Sequence, residues 1–215
     1  METTKLPPLQ ELFRKSFWIY KHRFSTIVML GLIPFANFAI ISMLMDVFGE
    51  PKDSAPFGVK VIIVLLTLVS VLINLWVHIA FFYLLKMNAD AKSLLAFAWR
   101  KMLPFSWVVF LTGIICALGF LALLIPGIIF SIWFSLSLYA FVFEKKRGMG
   151  ALYHSKELVK GYWWPVFGRV FLFGIISVLV GTIPVFGPII NIFFFMPLTV
   201  IYGFFIYEDL KRAKA

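Results

Sequence analysis

Charge, cysteine and histidine are scarce in this 215-residue chain: 14% of residues are charged, with ten acids, three histidines and one cysteine. A soluble domain carries about 25% charged residues. The histidines His22, His78 and His154 are dispersed, so little is left for acid–base chemistry. No cluster has metal-ligand spacing, no glycine loop suits a phosphate, and no Ser/His/Asp set has plausible proximity. Cys116 cannot form an intramolecular disulfide and reads as a small packed hydrophobe inside the apolar run 111–125. Residues 5–24 mix charge with apolar side chains and lack the apolar core and cleavage site of a removable signal. The spans themselves are therefore expected to direct insertion. These absences argue against an enzyme, and no metal or cofactor is expected.

What the chain has is apolar surface. Apolar residues make up 62% of it, including 26 phenylalanines, against roughly 45–50% in soluble domains. That excludes a soluble globular fold, a disordered chain and a disulfide-stapled secreted domain. A spanning helix needs ~20 mainly apolar residues to cross ~30 Å of hydrocarbon. Six stretches qualify: 24–47, 59–85, 105–125, 127–143, 164–183 and 189–207. The expected fold is all-α, a polytopic membrane protein forming one integral-membrane domain over 1–215.

Three charged stretches of helical character lie between or before the spans, at 9–23, 88–103 and 148–161. In the first, Leu9, Leu12, Phe13, Phe17 and Tyr20 recur at helical spacing; in the last, Ala151, Leu152, Ser155, Leu158, Val159 and Tyr162 do. Such amphipathic helices are expected to lie in the interface plane, with Gly161 stopping the last. The connections at 125–127 and 183–188 are charge-free Pro/Gly turns, whereas 46–58 is a polar loop.

Basic residues fix the orientation. Lys5, Arg14, Lys15, Lys21 and Arg23 precede span one, and Lys86, Lys92, Arg100 and Lys101 follow span two. Lys145, Lys146, Arg147, Lys156, Lys160 and Arg169 cluster between spans four and five, and Lys211, Arg212 and Lys214 end the chain. Thus 18 of 20 cations fall on one side, leaving Lys52 and Lys60 opposite. The positive-inside rule places that side and both termini in the cytoplasm. The +10 net charge therefore reports topology and not nucleic-acid binding.

The pattern also repeats: amphipathic helix, span, turn, returning span. Pro126 and Pro184 occupy corresponding turns and Glu144 and Glu208 corresponding span ends, 58 and 64 residues apart. Three two-helix repeats, at about 6–87, 88–147 and 148–210, are expected to pack into one bundle.

Two constellations are candidate sites. Thr67, Ser70, Asn74 and His78 fall at offsets 0, 3, 7 and 11 on one helical face, with Asn37 at comparable depth beyond a kink expected at Pro34. Intramembrane polar groups need partners, so this stripe is expected to face protein or water. It is either a polar site with His78 titrating or interhelical hydrogen-bond glue. The second set is Glu144, Lys156, Lys160 and Arg169. A carboxylate at a helix C-terminus needs a cation, and Arg169, by snorkelling, is expected to supply it. This set is either an anionic-headgroup site or a structural ion pair. Trp18, Trp99, Trp107, Trp163 and Trp164 fall near the basic boundary, as interfacial indoles do, while Trp76 and Trp133 lie deeper. Gly113/Ala117, Ser131/Ser135 and Ser177/Gly181 would permit close helix approach.

Pro126-Gly127, the aromatic and Ser-rich span after it, Glu144, Gly150-Ala151-Leu152, Ser155, Leu158, Gly161, Trp164 and Phe167 carry a likeness. Together they resemble the integral-membrane domain attached to some bacterial glycerophosphoryl diester phosphodiesterases, and stand-alone bacterial membrane proteins of that type. The likeness covers roughly a quarter of the chain. It implies a multi-span protein of the prokaryotic cytoplasmic (inner) membrane, with Glu144, Ser155 and Gly161 as family positions. The family's activity resides in a separate metal-binding barrel that nothing here matches, so no activity carries over. The expected function is a non-enzymatic, lipid-interacting or accessory scaffold module. Its partners would be anionic headgroups, with a protein partner or a second copy. The alternative is a small transporter or channel for a lipid or solute.

Overall fold

A computed structural model describes residues 7–48, 56–184 and 186–214, with the side chains of 45–48 excluded. Lys5, Lys52 and most of the polar loop 46–58 lie outside the described residues. Every regular element among the described residues is helical: α1 (Leu9–His22), α2 (Phe24–Phe48), α3 (Phe57–Leu84), α4 (Ala91–Ala122), α5 (Leu124–Phe134), α6 (Ser137–Glu144), α7 (Met149–Val159), α8 (Trp163–Gly181), α9 (Phe186–Ile190), a π-helical turn (Asn191–Phe195) and α10 (Met196–Ala213). Six helical stretches among the described residues are long and apolar enough to cross a membrane: Phe24–Leu44, Phe57–Leu84, Ala91–Ala122, Leu124–Glu144, Trp163–Gly181 and Phe186–Ala213. The chain is a multi-pass membrane protein.

Several boundaries depart from the sequence reading. Residues 88–103 do not form a helix of their own; they are the first turns of α4, which continues through Pro104 into span three. A proline removes one ladder donor, and nearby hydroxyls can bond backbone carbonyls at such points. The Ser106 hydroxyl donates to the Met102 carbonyl at 2.6 Å. Likewise α2 runs through Pro34. Span four is broken between α5 and α6, and span six contains the π turn between α9 and α10.

The spans form three hairpins, α2/α3, α4/α5–α6 and α8/α9–α10, and the tips of the second and third are closed by glycine contacts. A methyl group at Gly127 would strike the Phe120 ring at 2.4 Å; one at Gly187 would strike the Val180 carbonyl oxygen at 2.5 Å. Gly113, expected at a close approach, has open space around it.

Burial is concentrated at the basic end. The fully covered side chains come from the start of α2 (Ile27, Leu30), the end of α3 (Val77 to Leu84), the start of α4, the end of α6, all of α7's inner face, and α10 (Leu198 to Leu210). At the charge-poor end the same helices are exposed along most of their length, with Leu121 82% accessible. Across the basic end, α1 packs on α10 through Leu12, Ser16 and Tyr20, and α7 is wedged against α5 and α6 through Ala151, Leu152, Ser155, Leu158 and Val159. Tyr139 sits at the centre. Its hydroxyl donates to the Val200 carbonyl at 2.9 Å, and its ring lies 4.9 Å from that of Phe82, joining all three hairpins. Gly203 admits that hydroxyl, because a methyl group there would lie 2.3 Å from it.

Candidate functional site

The polar stripe of α3 is only partly assembled. The Ser70 hydroxyl donates to Asn37 Oδ1 of α2 at 2.7 Å, so these two meet across the hairpin. The Asn37 amide nitrogen is buried without an acceptor. Thr67 and Asn74 do not face protein, one of the two surroundings expected of the stripe. Both are exposed and bond back to their own helix, Thr67 to the Ile63 carbonyl at 2.8 Å and Asn74 to the Ser70 carbonyl at 2.9 Å. A carbonyl four residues earlier can accept a second hydrogen bond, so a polar side chain in a spanning helix needs no external partner. His78 is half-buried and stands edge-on to Phe82 at 5.3 Å. The groove of about 430 Å³ beside Asn37 and Ser70 is otherwise lined by aliphatic residues such as Leu32, Ile40 and Val69.

The Asn37–Ser70 pair has counterparts. Thr112 and Ser137 hydroxyls lie 3.3 Å apart across the second hairpin, and Ser177 donates to Asn191 Oδ1 at 2.9 Å across the third. Each hairpin thus has one side-chain clasp between its two spans. Sequence reasoning missed these pairs because Thr112, Ser137 and Asn191 are isolated polar residues in long apolar runs.

The second candidate set is dispersed. Glu144 does not pair with Arg169. Its carboxylate accepts from the Tyr207 hydroxyl at 3.2 Å and forms an ion pair with Lys211. The reason is geometric: α10 packs on α6 and α7 at this level and brings Lys211 to the end of α6. Arg169 instead donates to the Pro7 carbonyl at 2.8 Å, tying α8 to the segment preceding α1. Lys156 lies over the Trp133 ring at 4.6 Å, a cation–π contact, and the Lys160 carbonyl accepts from Lys214 at 2.7 Å.

Ser155 has a defined place. Its hydroxyl donates to the Trp133 carbonyl at 2.6 Å and accepts from the Leu136 N–H at 3.1 Å. Those are backbone groups at the break between α5 and α6, where the helical ladder is interrupted. Gly161, with φ of 89°, turns the chain between α7 and α8. Neighbouring His154 has its pKa lowered, chiefly by burial, although the Glu144 carboxylate acts the other way. Its Nε2 is buried without a partner.

Two recesses were not foreseen. One, of about 400 Å³, lies between α6, α8 and α10 and presents hydroxyls of Ser135, Tyr139, Ser177, Thr199 and Tyr202. The Tyr202 hydroxyl is buried without a partner. The other, of about 300 Å³, lies at the basic end between α3, α4 and the turn after α6. Comparison with models of known protein families, with curated proteins and with solved structures finds no match for this chain.

Proposed function

We propose that this chain is a non-enzymatic lipid-interacting or accessory scaffold module of a prokaryotic cytoplasmic membrane, with its basic end and both termini in the cytoplasm. The observation that carries the reading is the coincidence of charge and packing: the described cations of that side, all of the 18 but Lys5, surround the end where burial is concentrated. A basic surface on a rigid support suits a lasting contact with anionic lipid, to which each surface cation contributes about 1 kcal/mol. Helices α1 and α7 lie in the interface plane on this reading. Exposed Trp18, Trp99 and Trp164 sit at headgroup level. The likeness of residues 126–173 to the phosphodiesterase-linked membrane domain fits the same compartment and brings no activity with it. The three clasps, one per hairpin, favour descent from a repeated two-span unit.

The test is purification in mild detergent followed by mass spectrometry of the retained lipids and proteins. Enrichment of anionic over zwitterionic phospholipid, or a defined protein partner, is the expected result. A stoichiometric solute would replace this reading with transport. That second reading is favoured by the hydroxyl-lined recess between α6, α8 and α10 with its unpartnered Tyr202.

A further inference from the structure

The recess at the basic end gathers four cations. Lys86 enters from the turn after α3, Lys101 from α4, and Lys145 and Arg147 from the turn between α6 and α7. Phe97 and Phe141 give it apolar walls. The Lys86 ammonium donates to the Val142 carbonyl and lies 5.9 Å from the Phe143 ring centre; Lys101 lies 5.7 Å from that of Phe97. Both heads are therefore tethered at the recess, with Lys86 exposed and Lys101 half-buried.

Among the described residues, none of the four forms an ion pair with a carboxylate. The ion pairs among the described residues are Lys15–Glu11, Lys211–Glu144 and Arg212–Glu208, and none uses a cation of this recess. Glu144 is near enough to act on Lys86, but it is engaged by Lys211 and Tyr207. The Lys86 ammonium is held below the usual lysine range, first by burial and then by repulsion from Lys145 and Lys101. Lys145 adds a backbone oddity. Its φ of 56° is left-handed, the conformation in which a helix commonly ends on glycine. Here that position carries a charge at the rim of the recess.

The recess also borders the apolar flank of the bundle. A methyl group at Gly148 would lie 3.5 Å from Trp107 Nε1, so the turn rests against α4 one helical turn beyond Pro104. Trp107 and Phe110 are more than half exposed there. An anion held by the four cations could thus carry an apolar tail down α4.

We propose that the recess formed by Lys86, Lys101, Lys145 and Arg147 binds a phosphate group, that of an anionic phospholipid or of a soluble phosphate. Arginine and lysine side chains lining one recess with apolar walls can make several charge-assisted bonds to the same phosphate, which scattered surface cations cannot. The proposal deepens the lipid-interacting reading and, for a lipid source, rests on it.

The experiment uses the full chain in phosphatidylcholine nanodiscs doped with phosphatidylglycerol, and separately with inorganic phosphate as a soluble probe. A recess variant, Lys101→Gln with Lys145→Gln and Arg147→Gln, is compared with a charge-matched control. The control is Lys92→Gln with Arg100→Gln and Lys146→Gln, all exposed cations outside the recess. Retention of phosphatidylglycerol is read by native mass spectrometry, and phosphate binding by thermal shift. The recess variant is expected to lose about tenfold or more in affinity, and the control about twofold or less. Should the triple variant not fold, Lys145→Gln with Arg147→Gln, confined to the exposed turn, is expected to lose about fivefold. Dependence on the recess with phosphatidylglycerol alone identifies a lipid headgroup; the same dependence with inorganic phosphate alone identifies a soluble source. Equal losses in recess and control variants would overturn the site while leaving a diffuse attraction to anionic lipid. Phosphate bound in the recess with no preference for phosphatidylglycerol would keep the site and overturn the lipid reading. Neither probe bound would overturn both.

Discussion

Ser155 makes the residue-scale case most directly. It belongs to α7 yet bonds both sides of a helix break 22 and 19 residues earlier, at Trp133 and Leu136. Ser155→Ala would leave a buried N–H and carbonyl short of partners, which costs about 1–3 kcal/mol. A lower unfolding midpoint in detergent, with span number unchanged, is the expected outcome; an unaltered midpoint would deny Ser155 this role. The sequence singles out Ser155 within a likeness, but the break it serves has no proline or glycine to announce it. His154, beside it, gives a pH prediction. Its folded-state pKa lies below the ordinary value of about 6.5, so the unfolded chain binds its proton more readily. Stability should fall as pH drops below about 6.5 and level off beneath the folded pKa. Unfolding midpoints of wild type and His154→Gln across that window are expected to diverge as pH falls. The Glu144 partner was illegible for a different reason. Lys211 is 67 residues away, and only the packing of α10 selects it over nearer cations.

At the scale of elements, hydropathy located the spans well, because length and apolar content are set by the bilayer and not by tertiary context. It could not show where helices join. The charged turns that open α4 looked like a separate interfacial helix, since composition changes at Pro104 while the backbone does not stop there. The turns at 125–127 and 183–188 were legible from their Pro and Gly, and of the small residues chosen by spacing Gly181 does make a close approach, to Asn191 and Gly187. Gly113 has open space around it, and the contacts of Gly127 and Gly187 were not singled out. Gly187→Ala should therefore destabilise by roughly 1–3 kcal/mol through collision with the Val180 carbonyl. Gly174→Ala, in open space on α8, should leave stability unchanged or raised. Equal effects in detergent unfolding would argue against this tip geometry. The clasps invite a parallel comparison. Ser177→Ala and Asn191→Leu, alone and together, should show coupling near the ~0.6 kcal/mol typical of intramembrane hydrogen bonds.

For the whole molecule, the decisive pattern is the separation of charge from the opposite end, and that was readable by counting lysines and arginines. Reporter fusions at either terminus should be active in the cytoplasm, and a reporter in the 46–58 loop should be active on the other side. A periplasmic signal from either terminus would reverse the assignment. What counting could not give is the unequal distribution of packing along the membrane normal. Buried and exposed stretches of α2, α3 and α4 are alike rich in apolar residues, so hydropathy does not tell them apart, although in α3 the aromatic Phe81, Phe82 and Tyr83 fall in the buried stretch.

That inequality has a mechanical consequence. A body braced at one end resembles a stool, with a stiff seat and three paired legs, two of them latched at the foot by glycine contacts. The legs can change tilt with little disturbance of the seat, as spanning helices do when hydrocarbon thickness differs from their length. Such a molecule would hold its basic face at constant shape across membranes of different thickness, letting the lipid-facing half absorb the difference.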